Sequence, residues 1–223
     1  MKKIALIEDR YLRQQLAQEE HDISLNNYAD VVENIVEERY KSFVAQLKEN
    51  EIDWGQYGAV AVHESAFGED NTQMINRIKQ ACRTHALPLI LFSGGTSVSH
   101  YDADPTPQIT LNSREFYGHK LMAFFEHYKE HQKAELLILG YGKQWEIEII
   151  LGVKENIDRF LAHNTDDDVL FDEFTNETDL LLLDELSIAY PKPTIENGWV
   201  YGDALRSIAT SINAIIKERV LYA

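Results

Sequence analysis

Four short, largely apolar runs punctuate the first half of the chain: Ile4-Ala5-Leu6-Ile7, Val60-Ala61-Val62, Leu89-Ile90-Leu91-Phe92 and Ile109-Thr110-Leu111. Each stops abruptly at polar residues, in turn Glu8-Asp9, His63-Glu64, Ser93-Gly94 and Asn112-Ser113. An apolar run without alternation is shielded on both sides, so these predict short buried strands of a parallel sheet. Their polar ends then gather along one edge of that sheet, where open α/β sheets place their binding sites.

Helical spacing fills the intervals. Residues 10–20 predict a short helix, and Asp22 to Tyr28 alternates polar and apolar residues as an edge strand does. Val31, Val32, Ile35, Val36, Tyr40, Phe43, Val44 and Leu47 predict one amphipathic helix, and Met74, Ile75, Ile78 and Cys82 another over 70–86. Asp102, Asp104, Pro105 and Pro107 predict a loop up to Gln108, and Ser113 opens a helix that buries Phe116, Leu121, Phe124, Phe125 and Tyr128. Beyond about Lys133 the pattern changes. Glu135 to Gly142 predicts a further strand, Lys143 to Ala162 a helix, His163 to Asp168 an acidic loop and Tyr201 to Val220 a terminal helix, while Leu180 to Leu183 fits a helix or a short strand. The expectation is an α/β region over 1–132, then a strand plus a mainly helical region over 133–223 that packs on the first or on a partner.

Charge narrows the partners. The 223 residues hold 37 acidic and 21 basic side chains, a net charge of −16, which repels nucleic acid and anionic membranes alike. No apolar run approaches the roughly 18 residues that span a bilayer. The single cysteine, Cys82, excludes an internal disulfide, and the apolar stretch after Lys3 is too short for a signal-peptide core. These features predict a cytoplasmic chain whose partner is a protein, a second copy of itself included.

The chemistry sits at the strand ends. Glu8 and Asp9 are adjacent carboxylates that can ligate a hard cation such as Mg2+, or else cap a helix and meet solvent. His63 is either a neutral imidazole bonded to a loop or, with Glu8, Asp9 and Ser93, a metal or general-base site. Glu64 is the adjacent carboxylate, which strand alternation directs to the opposite face from His63. Ser93-Gly94-Gly95-Thr96 offers backbone amides and hydroxyls that can cradle an anion, or forms a tight turn.

The run Ile4-Ala5-Leu6-Ile7-Glu8-Asp9, with Ser93 ending the third apolar run quoted above, resembles the receiver domain of response regulators over residues 1–130. The resemblance implies a doubly wound, mostly parallel five-stranded sheet of the flavodoxin-like kind, with Glu8 and Asp9 holding magnesium and Ser93 contacting a phosphoryl group. His63 stands where that family has its phosphorylated aspartate, and Asn112-Ser113 stands where it has Lys-Pro. Without the nucleophile and the cation, aspartyl phosphotransfer has no chemistry to run on, short of a register shift that would enlist Glu64. The implied function is a pseudo-receiver, a signalling module that works by protein contact. The alternative is a metal-dependent hydrolase or nucleotide-binding enzyme using Glu8, Asp9, His63 and Ser93. Ser93-Gly94-Gly95-Thr96 also resembles the Ser-Gly-Gly phosphate loop of pyrophosphatase-type ATP-binding enzymes, which place it after their first strand.

Overall fold

All four apolar runs are strands. A computed structural model describes residues 1–103, 105–163, 170–171, 178–196 and 199–219. The chain divides into two units, residues 1–143 and 144–223.

In the first unit, strands β1 (Lys3–Ile7), β2 (Val32–Ile35), β3 (Tyr57–His63), β4 (Leu89–Ser93), β5 (His100–Asp102) and β6 (Gln108–Asn112) form one sheet in the order β2-β1-β3-β4-β6-β5. The first five of that order run parallel, the strand order of flavodoxin-like doubly wound sheets. Helices α2 (Glu37–Glu49) and α3 (Asn71–His85) cover one face, burying Phe43, Leu47, Met74 and Ile78 against Ala5, Ile7, Val60, Val62 and Leu91. The alternate residues of the strands face α1 (Tyr11–His21), α4 (Ser113–Phe116) and α5 (His119–His131). On that side Phe92 stacks on Phe116 with ring centres 4.1 Å apart, and Gln14 of α1 exchanges two amide hydrogen bonds with Asn34 of β2, at 2.9 and 2.7 Å.

Four expectations need correction. The sheet has six strands because His100–Asp102, inside the expected loop, pairs antiparallel with β6. The second strand is Val32–Ile35, not Asp22–Tyr28, where α1 ends and a 3-10 turn at Leu25–Tyr28 follows. The helix expected from Val31 begins only at Glu37, whose left-handed φ of 52° breaks it from the strand. Apolar residues at 31, 32, 35 and 36 satisfy the helical period, but pairing with Ile4 to Ile7 wins. The strand expected at 135–142 is the helix α6 (Leu137–Tyr141), buried through Leu137, Ile138 and Leu139 and packed on α5; a short apolar run cannot be told from a buried helix by period alone.

The second unit contains α7 (Trp145–His163), β7 (Leu170–Phe171), α8 (Thr178–Glu185), β8 (Ile195–Glu196), β9 (Trp199–Tyr201) and α9 (Gly202–Arg219). The three strands form an antiparallel sheet in the order β7-β9-β8. Ile149, Val153 and Ile157 of α7 and Leu205, Ile208 and Ile212 of α9 are buried at the three- and four-residue spacing of apolar helix faces. Leu180 to Leu183 is helical. The acidic loop expected at 163–168 lies, after His163, outside the described residues. Among the described residues no helix is long and apolar enough to cross a membrane.

Gly58 lets β3 and α5 approach closely. A Cβ there would lie 1.9 Å from the Tyr128 hydroxyl, which donates 2.9 Å to the Lys2 carbonyl. Gly58→Ala should lower the unfolding free energy by about 1–3 kcal/mol in urea titrations, and Gly58→Ala/Tyr128→Phe should recover part of that loss.

Candidate functional site

In this strand order the chain leaves β1 toward β2 on one side, and β3 lies on the other, so a crevice opens beyond the carboxyl ends of β1 and β3. The register Ile4↔Ala59 and Leu6↔Ala61 continues to place Glu8 and His63 on the same face. Ligand atoms of Glu8, Asp9 and His63 lie within 4.8 Å of one another, and Glu8 is fully buried.

The Glu8 carboxyl is held from three directions. Arg13 Nη1 of α1 lies 3.1 Å from Oε1, the Arg10 amide donates to Oε1 at 3.3 Å, and the Tyr117 hydroxyl donates to Oε2 at 3.4 Å. Asp9 Oδ2 meets Arg10 Nε at 3.4 Å, and its buried Oδ1 accepts no hydrogen bond but lies 3.8 Å from Arg13 Nη1. Burial, assisted by the Asp9 carboxylate, raises the Glu8 pKa from 4.5 to about 7 against the opposing pull of Arg13. His63 is lowered to about 4 by burial and then by Arg13, so its ring is neutral at physiological pH. The Ser65 amide donates to His63 Nδ1 at 3.2 Å, which places the proton of the neutral ring on Nε2.

Ser93 and Glu64 stand apart from this group. His63 pairs with Phe92, whose ring meets the imidazole edge-on at 5.4 Å, so Ser93, one residue further, projects from the other face. Its hydroxyl accepts the Gly95 amide at 3.2 Å, and Asn112 Nδ2 donates to the Thr96 carbonyl at 2.7 Å, so Ser93-Gly94-Gly95-Thr96 is a turn closed on its own strand ends. Glu64 opens the turn after β3, where Asn71 Nδ2 donates to its backbone carbonyl at 2.6 Å, and it is not one of the grouped ligands. Arg13 and Ser65 complete the cluster without having been singled out in the sequence, and Tyr117, expected there only as one of the aromatics Tyr117, Phe124, Phe125 and Tyr128 of a contact surface, joins it. Arg13 carries a signal, since it lies one helical turn after Asp9, whereas Tyr117 is 109 positions from Glu8 and carries none.

The two carboxylates fit a hard divalent cation, and the buried Asp9 Oδ1, which accepts no hydrogen bond, is a donor such an ion would use. Arg13 already occupies one position on Glu8. His63 suits the ion least, because coordination through Nε2 would require its proton to move and would cost the Ser65 amide its acceptor.

Comparison with protein-family models, curated proteins and solved structures finds no match. The buried Glu8 makes a pH-dependent prediction. A carboxyl whose pKa is raised on folding contributes stability below its unfolded value, about 4.5, that is lost as pH rises through about 7. In chelator, urea midpoints from pH 4 to 8 should therefore fall with pH for the wild type relative to Glu8→Gln, and parallel profiles would refute this.

Proposed function

We propose that the chain is a receiver-like regulatory module that acts by protein contact, without an aspartyl-phosphate cycle. The observation that carries this reading is His63. At the end of β3, where the resemblance expects a phosphorylated aspartate, a buried neutral imidazole is tied to Ser65. Asn112, in place of the expected lysine, is spent on the Thr96 carbonyl and the Arg114 amide. The aromatic cluster Tyr117, Phe124, Phe125 and Tyr128 is buried and offers no contact surface. Helix α1 instead turns Leu12 and Leu16 to solvent, 66% and 56% exposed and one turn apart, beside the Arg13 that grips Glu8. A contact there touches the element that closes the crevice.

Incubation with acetyl phosphate and Mg2+ should leave the intact mass unchanged, and light scattering should show a concentration-dependent mass that Leu12→Glu/Leu16→Glu reduces to the monomer. Gain of one phosphoryl group would overturn the reading, and a strict wild-type monomer would sink its homodimeric form.

A second reading rests on Asp9 Oδ1, which is buried and accepts no hydrogen bond: the crevice holds Mg2+ or Mn2+ through Asp9 and Glu8, with Arg13 displaced from both carboxylates. Either ion should then raise the melting temperature of chelator-stripped protein, and Asp9→Asn should abolish the shift. No shift with either ion disposes of the cation.

A further inference from the structure

Strand β3 ends at His63, and the chain turns through Glu64, Ser65, Ala66 and Phe67 before α3 begins at Asn71. This turn is firmly held. The Ala66 amide donates to the His63 carbonyl at 3.0 Å, Asn71 Oδ1 accepts the Phe67 amide at 3.2 Å, and the Tyr40 hydroxyl donates to the Ala66 carbonyl. Ala66 and Phe67 are buried, whereas Ser65 is exposed. The Ser65 hydroxyl lies 3.1 Å from His63 Nδ1. Because the Ser65 amide also donates to Nδ1, that nitrogen carries the lone pair, and the hydroxyl is the donor in this contact. Carboxylates flank the same ring: a ligand nitrogen of His63 and oxygens of Glu8 and Asp9 lie within 4.8 Å of one another, and Asp9 Oδ1 accepts no hydrogen bond.

We propose that Ser65 is a nucleophile, with His63 as its general base and Asp9 as the carboxylate that steadies the ring, and that it takes the acyl group of an activated ester. A hydroxyl bonded to a neutral imidazole, with a carboxylate beside the ring, is the arrangement that makes serine reactive. Ser65 Oγ bonds to the acyl carbon while its proton passes to Nδ1, and the ester oxygen leaves with that proton as the alcohol. Water then attacks the acyl-serine, giving one proton to Nδ1, which returns it to Oγ as the acid departs. The position suits this role, since a tight strand-to-helix turn presents a nucleophile at the end of a sheet. Burial and the charge of Arg13 make the ring a weak base, and Arg10 acts in the same sense. A weak base restricts the substrate to esters whose leaving group departs readily, such as phenyl esters and thioesters, and the two guanidinium groups supply positive charge for the oxyanion. The activity goes beyond protein contact through α1 and does not depend on it.

The test is incubation of the full chain with p-nitrophenyl acetate in chelator, which removes any metal-assisted route. Nitrophenolate release above the buffer rate is expected, with an acetyl group trapped on Ser65 after acid quench and located by peptide mass spectrometry. Ser65→Ala should lose the release, Ser65→Cys should keep it, and His63→Asn should slow it at least tenfold. Ser65 is exposed, so equal melting temperatures of the wild type and both Ser65 variants are expected and check that the fold is kept. Release as fast in Ser65→Ala as in the wild type, or acetylation confined to other residues, overturns the proposal. Acetylation of Ser65 at full rate in His63→Asn overturns it equally, because the base is then not His63.

Discussion

The arrangement of the crevice depends on burying one carboxyl group. Glu8 has no exposure, and an isolated ionised carboxylate in that position would be prohibitively costly. Two devices offset the cost: the guanidinium of Arg13, and a raised pKa that lets the group take up a proton. Because Arg13 belongs to α1 and Tyr117 to the segment between α4 and α5, the same carboxyl joins the end of β1 to the helical segments on this face. The crevice is therefore shaped by electrostatic satisfaction as much as by apolar packing.

That dependence sets two uses of the crevice against each other. A cation would have to take Glu8 from Arg13, releasing a grip on α1, and Asp9 Oδ1, although it accepts no hydrogen bond, faces the same Arg13 nitrogen at 3.8 Å. An ion bound there would therefore be coupled to the seating of α1 through Arg13, and the exposed Leu12 and Leu16 ride on that helix. Coupling of this kind needs an element with two arrangements, and α1 is the element that the exchange at Glu8 would bias.

What the sequence made legible follows burial. Strands β1, β3 and β4 are covered on both faces and read directly as unbroken apolar runs, and β6, where burial alternates, still shows its apolar Ile109 and Leu111. Strand β2 does not, because Val31, Val32, Ile35 and Val36 satisfy a helical period equally well, and what decides it, pairing with Ile4 to Ile7, joins residues far apart in the chain. Strand β5, His100-Tyr101-Asp102, has no apolar pattern and owes its conformation to pairing with β6. At the site, Glu8, Asp9 and His63 were visible as polar residues closing strands. That Ser93 faces away follows only from the pairing of His63 with Phe92, since a one-residue difference in register inverts every side chain.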